Sequence, residues 1–173
     1  MACSSYTMGG IALGCKDSIG GIKKAWFAPY GVKTTVSQST LTIDAADIAN
    51  FKVYNFRKAT GSMTSTLNTS ETSGNSFTTE VVLQFLKQET SKRLEVMALL
   101  MNEMCGVVKD GNGKYWYIGY DYPIEATSGT AETGTAMTDL NGYNLTITDN
   151  SVELPYEITD PTTITALEAI EVA

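Results

Sequence analysis

Between Ala59 and Thr79, 12 of 21 residues are Ser or Thr. A run of this kind belongs to a disordered linker or to a strand pair whose surfaces meet water. It holds no Pro and one charged residue, Glu71, and apolar residues recur at Met63, Leu67 and Phe77. Those features predict a long polar hairpin that turns at Ser73-Gly74-Asn75. The same chemistry runs through the chain, which has 24 Thr and 13 Ser in 173 residues. Thr suits pleated, half-buried surfaces, so the composition points to a mainly β protein of about one domain.

The elements around the hairpin follow from local pattern. Ile22–Ala28 and Phe51–Phe56 read as strands, Thr34–Ile43 as one strand or two short ones, and Asp44 is placed to cap a helical turn at Ala45–Ala49. Glu80–Lys87 reads as a strand covered on both faces. One helix is marked at about 91–105, capped by Thr90 or Ser91 and closed by Gly106. Its predicted core stripe is Leu94, Met97, Met101 and Met104. Val107–Lys109 and Tyr115–Tyr120 flank Asp110-Gly-Asn-Gly113, a hairpin turn. Residues 123–140 are small and polar and predict a loop. Tyr143–Thr148 and Val152–Ile158 form a closing pair that turns at Asp149-Asn150. Residues 1–21 read as an N-terminal arm, 22–158 as the domain and 159–173 as a C-terminal tail with room for a helical turn at Ala166–Ile170. Segregated strands with a single helix give an antiparallel sandwich or barrel with one flanking α-helix and long hairpin extensions.

Chemistry is sparse. The chain has no His, which removes the commonest general base and metal ligand. Cys3, Cys15 and Cys105 fit neither a disulfide framework nor a zinc site. Asp110–Lys114 resembles a calcium loop only faintly and is explained as a turn. Asp121 and Glu125 form at most a weak carboxylate pair. No catalytic, cofactor or metal set emerges, and the expectation is a protein that is not an enzyme. The net charge of −7 argues against a nucleic-acid reader. It divides unevenly: residues 1–114 hold 12 bases and 9 acids, residues 115–173 hold 10 acids and no base. That division fits either a solvated acidic surface with a loose tail or two unlike faces that meet between copies. The start lacks the basic segment of a secretion signal. No apolar run approaches the ~20 residues that span a bilayer, so no membrane partner is expected.

From Phe77 onward the chain resembles the tail tube proteins of long-tailed bacteriophages. The stretch Phe77–Lys87, the helix, the hairpin Val107–Tyr120, and Asn141-Gly-Tyr-Asn-Leu-Thr-Ile-Thr148 followed by Leu154-Pro-Tyr156 carry the likeness. Gly14–Lys24 is similar to the start of structural proteins in phages of gut bacteria. The resemblance implies two packed β-sheets, a flanking helix, and six copies in a ring. Hairpins of the copies then join into one barrel, and rings stack head to tail into a tube through which DNA passes. The implied partners are the chain itself and other tail or neck proteins of the virion, made in a bacterial cytoplasm. On that picture Ser62, Thr64, Thr66, Asn68, Ser70, Asn75 and Thr79 line the lumen. A head–tail connector, a capsid auxiliary protein, or a monomeric β-sandwich that binds ligands through Tyr115, Trp116, Tyr117 and Tyr120 are the alternatives.

Overall fold

The computed structural model describes residues 9–12, 17–36, 40–57, 60–72 and 74–170. In chain order its strands and α-helices are β1 (Ile22–Pro29), β2 (Thr34–Val36), β3 (Leu41–Ile43), β4 (Lys52–Asn55), β5 (Ser62–Asn68), β6 (Ser76–Leu86), α1 (Thr90–Met101), β7 (Met104–Asp110), β8 (Tyr115–Ile118), β9 (Glu125–Glu132), β10 (Gly142–Ser151), β11 (Tyr156–Ile158) and α2 (Pro161–Glu168), with a 3-10 turn at Ile48–Asn50 between β3 and β4. The fold is mainly β and antiparallel, as the sequence predicts. A five-stranded sheet runs β11-β8-β7-β1-β4 and a four-stranded sheet runs β5-β6-β10-β9. β2 and β3 form a small hairpin of their own.

The five-stranded sheet is the middle layer, because β1 is apolar on both sides. Ala25 and Phe27 join Val81, Leu83, Leu145 and Ile147 of the four-stranded sheet in one core, together with Val96 and Leu99 of α1. Trp26 and Ala28 point the other way, into a second core with Leu41, Ile43, Phe51, Tyr115, Tyr117 and Leu167. Two apolar faces demand two covers, and the second is supplied by the β2–β3 hairpin and α2.

α2 lies within the expected tail and is longer than the single turn the sequence offers at Ala166–Ile170. Asp160 caps it, accepting from Thr163 N–H at 2.8 Å, with Pro161 in the first turn. Leu167 is fully buried, and its carbonyl accepts from Trp26 Nε1 at 3.0 Å. The Glu168 carboxylate then collects Lys24 Nζ at 2.8 Å, Lys109 Nζ at 2.6 Å and Tyr115 Oη at 2.7 Å. Burial works to raise the Glu168 pKa, but the hydrogen bonds from Lys109, Lys24 and Tyr115 outweigh it and hold the pKa at about 2.

Three other expectations are corrected. Residues 125–132 form a strand, β9, which pairs with β10 from Gly142↔Glu132 to Thr148↔Glu125. Small polar residues carry little strand signal of their own, so this strand exists through its partner. β10 does not turn at Asp149-Asn150; it runs through them, opposite Thr79 and Thr78. β11 crosses to the other sheet and pairs with β8. The helix ends at Met101, where Asn102 turns extended and donates Nδ2 to Ala98 O at 2.8 Å. Met104 and Gly106 therefore lie in β7. Gly106 is not a helix cap, and a Cβ there would sit 2.7 Å from the Phe27 ring.

The arm is represented by residues 9–12 and 17–21, which carry no regular element. Ile19 N–H donates to Asn112 Oδ1 at 2.7 Å, and Gly111 N–H donates to Gly21 O at 2.8 Å, which ties its end to the β7–β8 turn. Cys3 and Cys15 lie outside the described residues.

Candidate functional site

Paired residues of a sheet share a face, so register assigns the sides of the four-stranded sheet. Met63, Val81 and Ile147 are in register and point into the core. The residues between them point away. On this outer side stand Ser62, Thr64, Thr66 and Asn68 of β5, Ser76, Thr78, Glu80, Val82 and Gln84 of β6, Asn144, Thr146, Thr148 and Asn150 of β10, and Ser128, Thr130 and Glu132 of β9. None of these residues is buried.

The side chains are knit across the strands. Asn68 Nδ2 donates to Thr78 Oγ1 at 2.7 Å, and Thr78 Oγ1 donates on to Asn150 Oδ1 at 2.9 Å, a rung over three strands. The hydroxyls of Thr127 and Thr148 meet at 2.8 Å. None of the four strands contains a Lys or Arg, and Glu80, Glu125 and Glu132 supply the charge of the outer side. The result is a broad hydroxyl and amide surface with a negative bias. Its two edges are β5 and β9, and no described strand lies beyond either.

Four of the seven expected hairpin residues, Ser62, Thr64, Thr66 and Asn68, share this face. Ser70 and Asn75 lie in the connection between β5 and β6. Thr79 is a correction: it is 1% exposed and faces inward. Its register partner is Ser65, and their hydroxyls bond at 2.7 Å. A hydroxyl pair lets this end of the inner face be polar without an unpaired group. Asp149 is buried beside them, opposite Thr79. It accepts from Gly119 N–H at 3.1 Å, while its Oδ1 is buried with no hydrogen-bond partner among the described residues. Burial pushes the Asp149 carboxyl up; the Gly119 bond opposes this and the nearby Asp121 adds to it.

The helix stripe is likewise corrected. Leu94 is 60% exposed and Met101 76%, with Met97 also at the surface. Val96 and Leu99 are the buried pair. Leu94–Met101 is apolar nearly all round apart from Glu95, so sequence spacing admits either face. The early stop at Met101 removes Met104 from the stripe, although Met104 itself is buried in β7.

The binding aromatics do not gather on one surface. Tyr115 and Tyr117 are buried in the second core, while Trp116 points to the opposite side of β8. Asp121 Oδ2 accepts from Val152 N–H at 3.1 Å. Asp110 Oδ1 accepts from Asn112 and Lys114 N–H, both at 2.8 Å, which is turn chemistry. Among the described residues no three His, Cys, Asp or Glu side chains stand together as a metal set, and no helix is long and apolar enough to cross a membrane.

No family model, curated protein or solved structure matches this chain.

Proposed function

We propose that this chain is a virion structural subunit that joins copies of itself into rings, and that the rings stack into a bacteriophage tail tube through which DNA passes. The observation that carries the reading is the base-free polar face of the four-stranded sheet, bounded by two open edges. Open edges expose ladder groups that invite pairing with another chain. The strands alternate in direction from β5 to β9, so β5 of one copy set beside β9 of the next continues the antiparallel order. Such a contact joins two different surfaces, the type that closes rings.

Closure turns the polar face inward. Large barrels enclose aqueous channels, and a channel wall needs side chains that stay hydrated. DNA adheres through neutralisation of phosphate by Lys and Arg, which this wall lacks. Six copies, the number the resemblance implies, give a circumference of about 115 Å at a strand spacing of about 4.8 Å, before tilt widens it. α1 and the five-stranded sheet then form the outer layer. Other tail or neck proteins of the virion would complete the partners.

Sedimentation velocity over a concentration series tests the reading. The expected result is a discrete multi-subunit species that feeds longer polymers. A monomer at every concentration would overturn it.

A further inference from the structure

Resting on the ring reading, we infer that the seam between copies has a fixed register: β5 of one copy pairs with β9 of the next, four residues out of step, setting Met63, Ser65 and Leu67 against Ala131, Gly129 and Ala126. The second copy is the occupant of both the β9 edge and the groove beneath it.

The offset is built into the sheet. Measured along β6, Ser62–Asn68 of β5 lies opposite positions 82–76. Through β10, Glu132 and Glu125 of β9 lie level with positions 86 and 80. The edges are equally long but displaced by four residues. Strands in a barrel tilt, so each copy must be displaced along the strands relative to the last. Four residues at about 3.3 Å against four strands at about 4.8 Å gives a tilt of about 35°, at the lower end of the usual range for barrels.

The hand agrees as well. Lys87 N–H donates to Asn141 C=O at 2.6 Å, so odd-numbered β6 residues bond toward β10. Those residues, Val81 and Leu83 among them, carry their side chains on the apolar side. For an L-residue viewed from its side chain with the strand running up, N–H and C=O point right. Seen from the apolar side the order is therefore β5, β6, β10, β9 from left to right, climbing as it goes. Strand twist makes barrel strands climb to the right when seen from outside. The displacement closes a ring only with the apolar side outward and the polar face inward.

Hydrogen bonding fits the same shift. Even residues of β5, and Ser128, Thr130 and Glu132 of β9, bond to their neighbours within the sheet, which leaves Met63, Ser65 and Leu67 against Gly129 and Ala131 open at the edges; a register shift between Thr146 and Ile147 of β10 reverses the parity of β9 beyond Ser128, so Ala126 is the next open residue. An even displacement sets open groups against open groups. On the apolar side, large residues of β5 meet small ones of β9. Leu67 is 50% exposed in the single subunit. A groove of about 410 Å³ between α1 and β9, lined by Met97, Leu100, Gly129, Ala131 and Tyr143, lies where the neighbour's Met63 arrives.

Paired cysteines test the register. Thr64→Cys with Thr130→Cys, in a chain carrying Cys3→Ser and Cys15→Ser, places two thiols across the seam at a pair whose Cα atoms stand about 4.5–5.5 Å apart, within disulfide reach. In one copy β6 and β10 separate them, so any bond joins two copies. Oxidation is expected to give a reducible ladder of covalent oligomers on a denaturing gel, several-fold stronger than from Thr64→Cys with Ser128→Cys, which is two residues out of register. Oligomers in sedimentation without that ladder, or with the control pair linking better, overturn the seam and leave the ring reading standing. Monomers in sedimentation overturn both.

Discussion

Two buried or clasped carboxylates make opposite demands on pH. Asp149 has its pKa raised by burial, so its ionised form costs native stability at neutral pH; that cost vanishes below the ordinary value of 3.8. Glu168 has its pKa lowered to about 2, so the stability from its clasp is present above the ordinary 4.5 and is lost as pH falls toward 2. Thermal unfolding followed by circular dichroism is expected to show Asp149→Asn melting higher than the parent chain at pH 7, with the gap closing as pH falls below the ordinary carboxylate value. Glu168→Gln is expected to melt lower at pH 7, with its gap closing toward pH 2. Neither role is legible in the sequence. Asp149 reads there as a turn residue beside Asn150, and Glu168 as one acid in a tail, because their partners Gly119, Lys24 and Lys109 are brought near only by the fold.

Elements are legible where their pattern is self-sufficient. β1, the β5–β6 hairpin and the β7–β8 hairpin carry alternation or a strong turn, and stand where the sequence predicts them. β9 was hidden because Ser, Thr, Gly and Ala give no alternation; β10 supplies its ladder. α1 is legible in the sequence but its buried side is not, since six of the eight residues from Leu94 to Met101 are large and apolar. Chemical denaturation checks the corrected face. Leu99→Ala is expected to cost about 2–4 kcal/mol, whereas Leu94→Ala and Met101→Ala in the unassembled subunit should each change stability by less than about 0.5 kcal/mol.

For the molecule as a whole, the charge division along the chain is partly consumed within it. Lys24 and Lys109 pair with Glu168, and Lys114 with Glu157, so bases of the first part meet acids of the second inside one copy. What survives as an assembly feature is the four-stranded sheet: no base in any strand, two open edges, and a displacement that matches a closed barrel. The Ser and Thr excess pointed to that surface but not to its extent, because β9 and β10 contribute as much of it as the hairpin does. Electron microscopy of the concentrated, purified protein in negative stain tests the central claim most directly. The account predicts rings with a central lumen, or stacks of them in tubes; a field of compact monomers with no rings at any concentration would contradict it.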